Sequence, residues 1–132
     1  MVISDVTHYF NFLVKDFAFS GPWEFSWGHE SHVCYIKGKC IIDIGYDGGY
    51  FVHLAITKSY IPELESGKMN ISEVSANQWR YYSINSLQSK KNSNHSFSPL
   101  DEAAQLIKMN SEILHGDVRK YSFFYRFMHM FN

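Results

Sequence analysis

The chain has 132 residues, enough for one domain spanning 1–132 and too few for two comfortable ones. Apolar residues make up 45% and charged ones 19%, which excludes a disordered tail or a coiled coil. Twelve basic residues against thirteen acidic ones leave a net charge of −1, which argues against a nucleic-acid protein held by counterion release.

Ser4 and Asp5 read as a helix N-cap and a first-turn acid. Val6, Phe10, Leu13 and Phe17 follow at three- and four-residue spacing, the apolar face of an amphipathic helix that Gly21-Pro22 should end. Trp23, Phe25 and Trp27 alternate with Glu24 and Ser26, the period of a half-buried strand. Three further strands are predicted at His32 to Lys37, Cys40 to Tyr46 and Tyr50 to Thr57. Gly38-Lys39 suits a two-residue type II′ turn between the first two, and Asp47-Gly48-Gly49 a three-residue loop between the next two. Residues 59–76 read as irregular. Gln78 to Ile84 suits either a fifth strand or a short helical turn, and Ser86 to Ser98 reads as a polar loop. Ser98-Pro99 then opens a helix with Leu100, Ala103, Ala104, Ile107 and Leu114 on its buried face and Gly116 at its end. Asp117 caps a short terminal helix through Val118, Tyr121, Phe124, Tyr125 and Met128. The expected class is α+β: an antiparallel meander of four to five strands, with an N-terminal helix and one or two C-terminal helices packed on one face.

The turns fix a register. Two loop residues at 38–39 pair Lys37 with Cys40, Tyr35 with Ile42 and Val33 with Ile44. Three at 47–49 pair Tyr46 with Tyr50, Ile44 with Val52 and Ile42 with Leu54. Apolar residues fall opposite apolar residues, so turn chemistry and burial agree. On the other face Cys34, Asp43 and His53 form one row across three strands, flanked by His32, Ile36, Ile41, Phe51 and Ala55.

A Cys, an Asp and a His in one row invite a catalytic reading, but the order is wrong. A nucleophile needs its base beside it and the orienting acid beyond, whereas Asp43 separates Cys34 from His53. A cross-strand Asp43–His53 hydrogen bond on a partly exposed face is the expectation instead. The spacing of His29, His32, Cys34 and Cys40 matches no zinc knuckle or finger. A Cys34–Cys40 disulfide is disfavoured because the hairpin sends the two side chains to opposite faces. Asp47 to Val52 lacks the leading basic residue of an RNA-binding aromatic strand. No catalytic residue, metal ligand or cofactor is therefore predicted, and nucleic acid is not the expected partner.

Eight aromatics lie in or beside the meander (Trp23, Phe25, Trp27, Tyr35, Tyr46, Tyr50, Phe51 and Tyr60), more than one sheet face can hide. Large aromatics near acids suit a protein-binding surface. Asp47, Glu63 and Glu65 offer a charged rim for a basic partner, and Asp43, Phe51, His53 and Tyr60 complete the predicted partner-binding set. The charge is also divided along the chain: residues 1–66 sum to −4 and residues 67–132 to +3. The N-terminus lacks a basic stretch followed by an apolar run, and two cysteines are too few for a secreted disulfide framework. Together with the lack of any long apolar run, this makes a cytoplasmic protein, with no membrane partner, the expectation.

The N-terminal helix, the aromatic meander with its Gly-rich turn, and the late helix ending Glu112-Ile113-Leu114-His115-Gly116-Asp117 resemble small bacterial immunity proteins encoded beside polymorphic toxins, including those of contact-dependent growth inhibition systems. The resemblance is one of architecture and implies a non-enzymatic protein that binds and occludes a cognate toxin domain. Were that toxin a basic nuclease, the acidic N-terminal half should face it. The competing expectations are a small enzyme or ligand-binding domain built on Asp43 and His53, and a structural adaptor subunit.

Overall fold

The computed structural model describes residues 3–84 and 99–121. Helix α1 (Ile3–Phe17) turns Val6, Phe10 and Leu13 inward, each wholly buried, and such burial stabilises by roughly 1.5–3 kcal/mol per side chain. Ser4 lies inside the helix instead of capping it. The helix also stops earlier than Gly21-Pro22. Ala18 takes a left-handed φ of 61°, and the Phe19 N–H turns back to the Leu13 carbonyl at 3.0 Å. Lys37 Nζ donates to the Phe17 carbonyl at 2.7 Å, placing a cation on the negative end of the helix.

Five antiparallel strands follow in spatial order β1-β2-β3-β4-β5. They are β1 (Ser20–Trp27), β2 (Glu30–Lys37), β3 (Cys40–Tyr46), β4 (Tyr50–Thr57) and β5 (Trp79–Ser83). Gly21-Pro22 sits within β1, an edge strand, where a missing N–H need not break the ladder. The β2–β3 and β3–β4 pairings are those the turns dictate: Lys37 opposite Cys40, Val33 opposite Ile44, Tyr46 opposite Tyr50 and Ile42 opposite Leu54. Positive φ falls on Gly38 in the first turn and Gly48 in the second. Of the two readings of 78–84, the strand is the right one; Trp79, Tyr81 and Ser83 pair with Thr57, Ala55 and His53.

Two cores flank the sheet. On one face α1 and α3 (Pro99–Lys108) cover Val33, Tyr35, Ile42, Ile44 and Leu54. The predicted single helix after Pro99 breaks at Met109-Asn110, and the Asn110 side chain caps α4 (Ser111–Leu114) by accepting from the Ile113 N–H at 3.3 Å. Gly116 ends that helix with φ 70°. A single 3₁₀ turn, Arg119–Tyr121, follows. The rest of the predicted terminal helix, and the predicted loop Ser86 to Ser98, lie outside the described residues.

The opposite face was expected to be partly exposed, and this is where the structure differs most. The segment between β4 and β5 is a strap laid across it. Short helix α2 (Pro62–Glu65) buries Leu64, and a 3₁₀ turn at Ile71–Glu73 buries Ile71. These pack with Cys34, Ile36, Ile41 and Ala55, joined by Trp23, Phe25, Trp79 and Tyr81. Reciprocal bonds between Asn70 and the Ser72 and Glu73 positions close that turn, and Trp79 Nε1 donates to the Val74 carbonyl at 3.1 Å. Two cores thus absorb most of the aromatic excess. Of the eight meander aromatics only Trp27 and Tyr60 are exposed.

One core residue carries a mismatch. Tyr35 is wholly buried against Phe10, yet its hydroxyl has no hydrogen-bond partner among the described residues. Burial pushes its pKa up to about 12. Replacing an unsatisfied buried hydroxyl by hydrogen removes a desolvation cost. Tyr35→Phe is therefore expected to raise stability by about 1 kcal/mol in urea unfolding; a loss of stability would mean that the hydroxyl is satisfied in solution.

Candidate functional site

The polar cluster of the molecule lies on the strap-covered face, centred on Asp43. Its position follows from β3 pairing: Asp43 sits between Cys34 on β2 and His53 on β4. It is wholly buried. The expected Asp43–His53 hydrogen bond does not form. Asp43 Oδ1 instead lies 2.8 Å from His32 Nδ1, and Oδ2 accepts from the Tyr81 hydroxyl at 2.6 Å. Cys34 Sγ donates to Oδ1 at 3.5 Å. A buried carboxylate is costly unless it is paired and hydrogen-bonded, and Asp43 has three donors around it.

Small residues make these reaches possible. His32 pairs with Gly45, which adds no side chain to the space between them. The Phe51 ring occupies the position above it: a Cβ on Gly45 would collide with that ring. The His32 imidazole therefore leans one register step towards Asp43, stacked on Phe25 at 4.9 Å and meeting Phe51 edge-on at 5.8 Å. Tyr81 in turn lies opposite Ala55 and passes over that small residue to reach β3. A single carboxylate consequently joins β2, β3 and β5.

The other ring nitrogen of His32, Nε2, lies 2.9 Å from Glu30 Oε1. Both nitrogens face side-chain carboxyl oxygens, and only the protonated ring, which donates from both, can serve two ionised carboxylates at once. Burial opposes its charge, but Asp43 and Glu30 together outweigh that and hold the pKa above 6.5. His53 is the opposite case. Burial lowers its pKa below 6.5, partly countered by Asp43 and Glu30, and Nδ1 has no partner among the described residues. Its ring stacks on Tyr81 at 4.9 Å. Cys34 is raised well above its ordinary value by burial first and by Asp43 second, which makes it a poor nucleophile. Cys40 belongs to the other core, across the sheet from Cys34. Among the described residues no group of His, Cys, Asp and Glu is arranged to hold a metal. None of the described helices is long and apolar enough to cross a membrane.

The remaining predicted residues do not gather into one rim. Asp47 is exposed on the β3–β4 turn, at one end of β4, and Phe51 is half-buried near it. Tyr60, Glu63 and Glu65 lie beyond the other end, about 24 Å away at the rise of an antiparallel strand. There Tyr60 is 54% exposed. Glu65 accepts from the Gly38 N–H at 3.3 Å, tying α2 to the β2–β3 turn. Tyr60 stands at a cleft of about 660 Å³ lined also by Lys39, Ile56, Lys58, Val118 and Arg119. Asp117 on its wall is held by Arg119 through two bonds of 3.0 and 2.9 Å, which keep the carboxyl below its ordinary pKa. Basic residues from both halves of the chain meet here, so the charge division read along the sequence is not a division of the surface at this cleft.

His32, Glu30 and Tyr81 were not in the predicted set. The signal for His32 was Gly45, which lets the Phe51 ring lie over the position directly opposite and so turns the imidazole aside towards Asp43. None of the protein families, curated proteins or solved structures compared with this chain matches it.

Proposed function

We propose that this chain is an immunity protein, a cytoplasmic inhibitor that binds a cognate bacterial toxin domain and occludes it without chemistry of its own. The observation that carries the reading is Tyr60. It is the most exposed of the Phe, Tyr and Trp rings among the described residues, it lines the cleft, and the acidic residues of α2 follow it directly. An exposed Tyr with a polar surround has the form of a binding anchor. Asp43 and His32, 0% and 2% exposed, are spent on holding strands together and offer no surface to a substrate. Asp43 is accordingly not carried into the proposed interface. The Glu63 and Glu65 carboxylates that follow Tyr60 suit a basic toxin surface, such as that of a nuclease, while Lys39, Lys58 and Arg119 of the cleft would face acidic groups of the same partner.

Co-purification with the product of the neighbouring gene, and rescue of cells expressing that product, test the proposal. The wild-type chain should bind and protect. Tyr60→Ala, which removes an exposed ring and leaves both cores intact, should weaken binding at least tenfold. A neighbouring product that is neither toxic nor bound would refute the reading.

A further inference from the structure

Three stretches far apart in the sequence build the cleft that Tyr60 lines. They are the β2–β3 turn at Gly38-Lys39, the end of β4 with the residues just after it, and the segment Gly116 to Arg119 after α4. Each is pinned to its neighbour. The Thr57 N–H donates to the Lys39 carbonyl at 3.2 Å, which sets the turn against the end of β4. Gly116 is pressed onto β2, where an added Cβ would stand 3.0 Å from Lys37 Cγ and 3.3 Å from the Lys37 carbonyl oxygen. Glu65 of α2 accepts from the Gly38 N–H at 3.3 Å on the strap side. Walls fixed in this way need little ordering when a ligand enters.

The lining divides into a floor and a rim. Ile56 and Val118 are buried and give the floor its hydrocarbon; the Thr57 hydroxyl beside them donates to the Ser59 carbonyl at 2.8 Å. Exposed Lys39, Lys58, Arg119 and Tyr60 stand around it. The three cations come from three different stretches, so the fold brings them together and no run of like charge does. Among the described residues that line the cleft Asp117 is the one acid, and Arg119 answers it through two bonds. The cleft is therefore positive, in a chain whose formal total is −1.

Its volume, about 660 Å³, falls in the range of small-molecule sites, roughly 300–1,000 Å³, which combine apolar walls with a few placed polar groups. An apolar floor edged by a tyrosine ring suits a flat ring. Cations on the rim suit a negative group attached to it.

We propose that the cleft binds a small aromatic anion, a flat ring carrying a carboxylate or a phosphate, with the ring against Tyr60 and the charge towards Lys39, Lys58 and Arg119. Glu63 and Glu65 follow Tyr60 in the chain, so the charged end of the ligand points away from that side. The site belongs to the free chain and does not depend on the toxin reading. A ligand seated there would cover the Tyr60 ring, and so compete with any protein that uses it.

Titrating the free chain with adenosine monophosphate and with 2-naphthoate, followed by amide resonances, tests this and separates the two kinds of charge. At least one should bind with a Kd below about 1 mM and move the signals of Gly38, Thr57 and Val118. Adenosine, inorganic phosphate and acetate, each lacking either the charge or the ring, should bind about tenfold more weakly or worse. Lys39→Ala and Tyr60→Ala change exposed side chains, and each should weaken binding about fivefold. Lys15→Ala, on the exposed side of α1, should leave it unchanged. A Kd above about 1 mM for both aromatic anions, phosphate or acetate binding as tightly as they do, or affinity unmoved by Lys39→Ala would each overturn the proposal. None of these results bears on the toxin reading, which stands or falls by co-purification and rescue.

Discussion

Asp43→Ala is expected to be the most damaging single substitution in the sheet, lowering stability by about 3–5 kcal/mol. The loss has three sources in one atom group. The His32 imidazolium, 2% exposed, would keep only Glu30, and the Tyr81 hydroxyl and the Cys34 thiol would lose their common acceptor. A buried charge stripped of its partner costs far more than the intact pair contributes. Asp43→Asn is the informative companion. Its amide oxygen can still accept from one donor, but the neutral group no longer supports an imidazolium, so the loss should be smaller and concentrated below pH 6.5, where the wild-type contribution of His32 is complete. Urea denaturation at pH 6 and pH 9 checks both. An Asp43→Ala protein within 1 kcal/mol of wild type would show that the network is not holding the strands.

Gly21→Ala should be the second severe change, and for a purely steric reason. Gly21 lies in β1 with φ 119°, a region L side chains avoid, and a Cβ there would sit 2.6 Å from the Cys34 carbonyl oxygen. That oxygen is backbone on the neighbouring strand and cannot swing away, so β1 must lift from β2. A cost of about 3 kcal/mol or more is expected. Gly28→Ala supplies the control: its φ is 63°, also left-handed, but a Cβ there meets nothing within 4 Å. It should lose only about 1 kcal/mol. Equal losses at the two positions would mean that the contact with Cys34 does not matter.

The meander was legible because each hairpin carries its own punctuation. Gly38 and Gly48 supply the positive φ, the loop lengths set the pairing, and alternation then assigns every residue of β2, β3 and β4 to a face. The row Cys34–Asp43–His53 was therefore correctly placed. Which neighbour Asp43 would choose was not, because a strand register names only the residue directly opposite, whereas long side chains also reach diagonally. His32 turns to Asp43 because the Phe51 ring lies over Gly45 and closes the way straight across, and Tyr81 reaches it because Ala55 is small.

The strap escaped the sequence for another reason. Leu64 and Ile71 are seven residues apart on a chain of short turns with no sustained period, so nothing marks them as inward-facing until the sheet is there to receive them. Reading the opposite face as exposed followed from that gap. The break at Asn110 was hidden similarly, because Ile107 and Leu114 keep a helical spacing across an interruption made by a single capping side chain.

The position of Asp43 also bears on how the chain avoids its nearest wrong answer. Ile42 and Ile44 flank it on β3, with Ile41 two places before, so four adjacent residues are three isoleucines and one acid. Hydrocarbon content alone would let β3 slide by one place with little penalty, exchanging one set of isoleucines for another across the sheet. Such a slide would drive the carboxylate in among Phe10, Leu13 and Ile107, where only hydrocarbon waits for it. Asp43 thus acts as an address label in an otherwise repetitive strand: one charge in a run of look-alike neighbours makes the correct alignment the only affordable one.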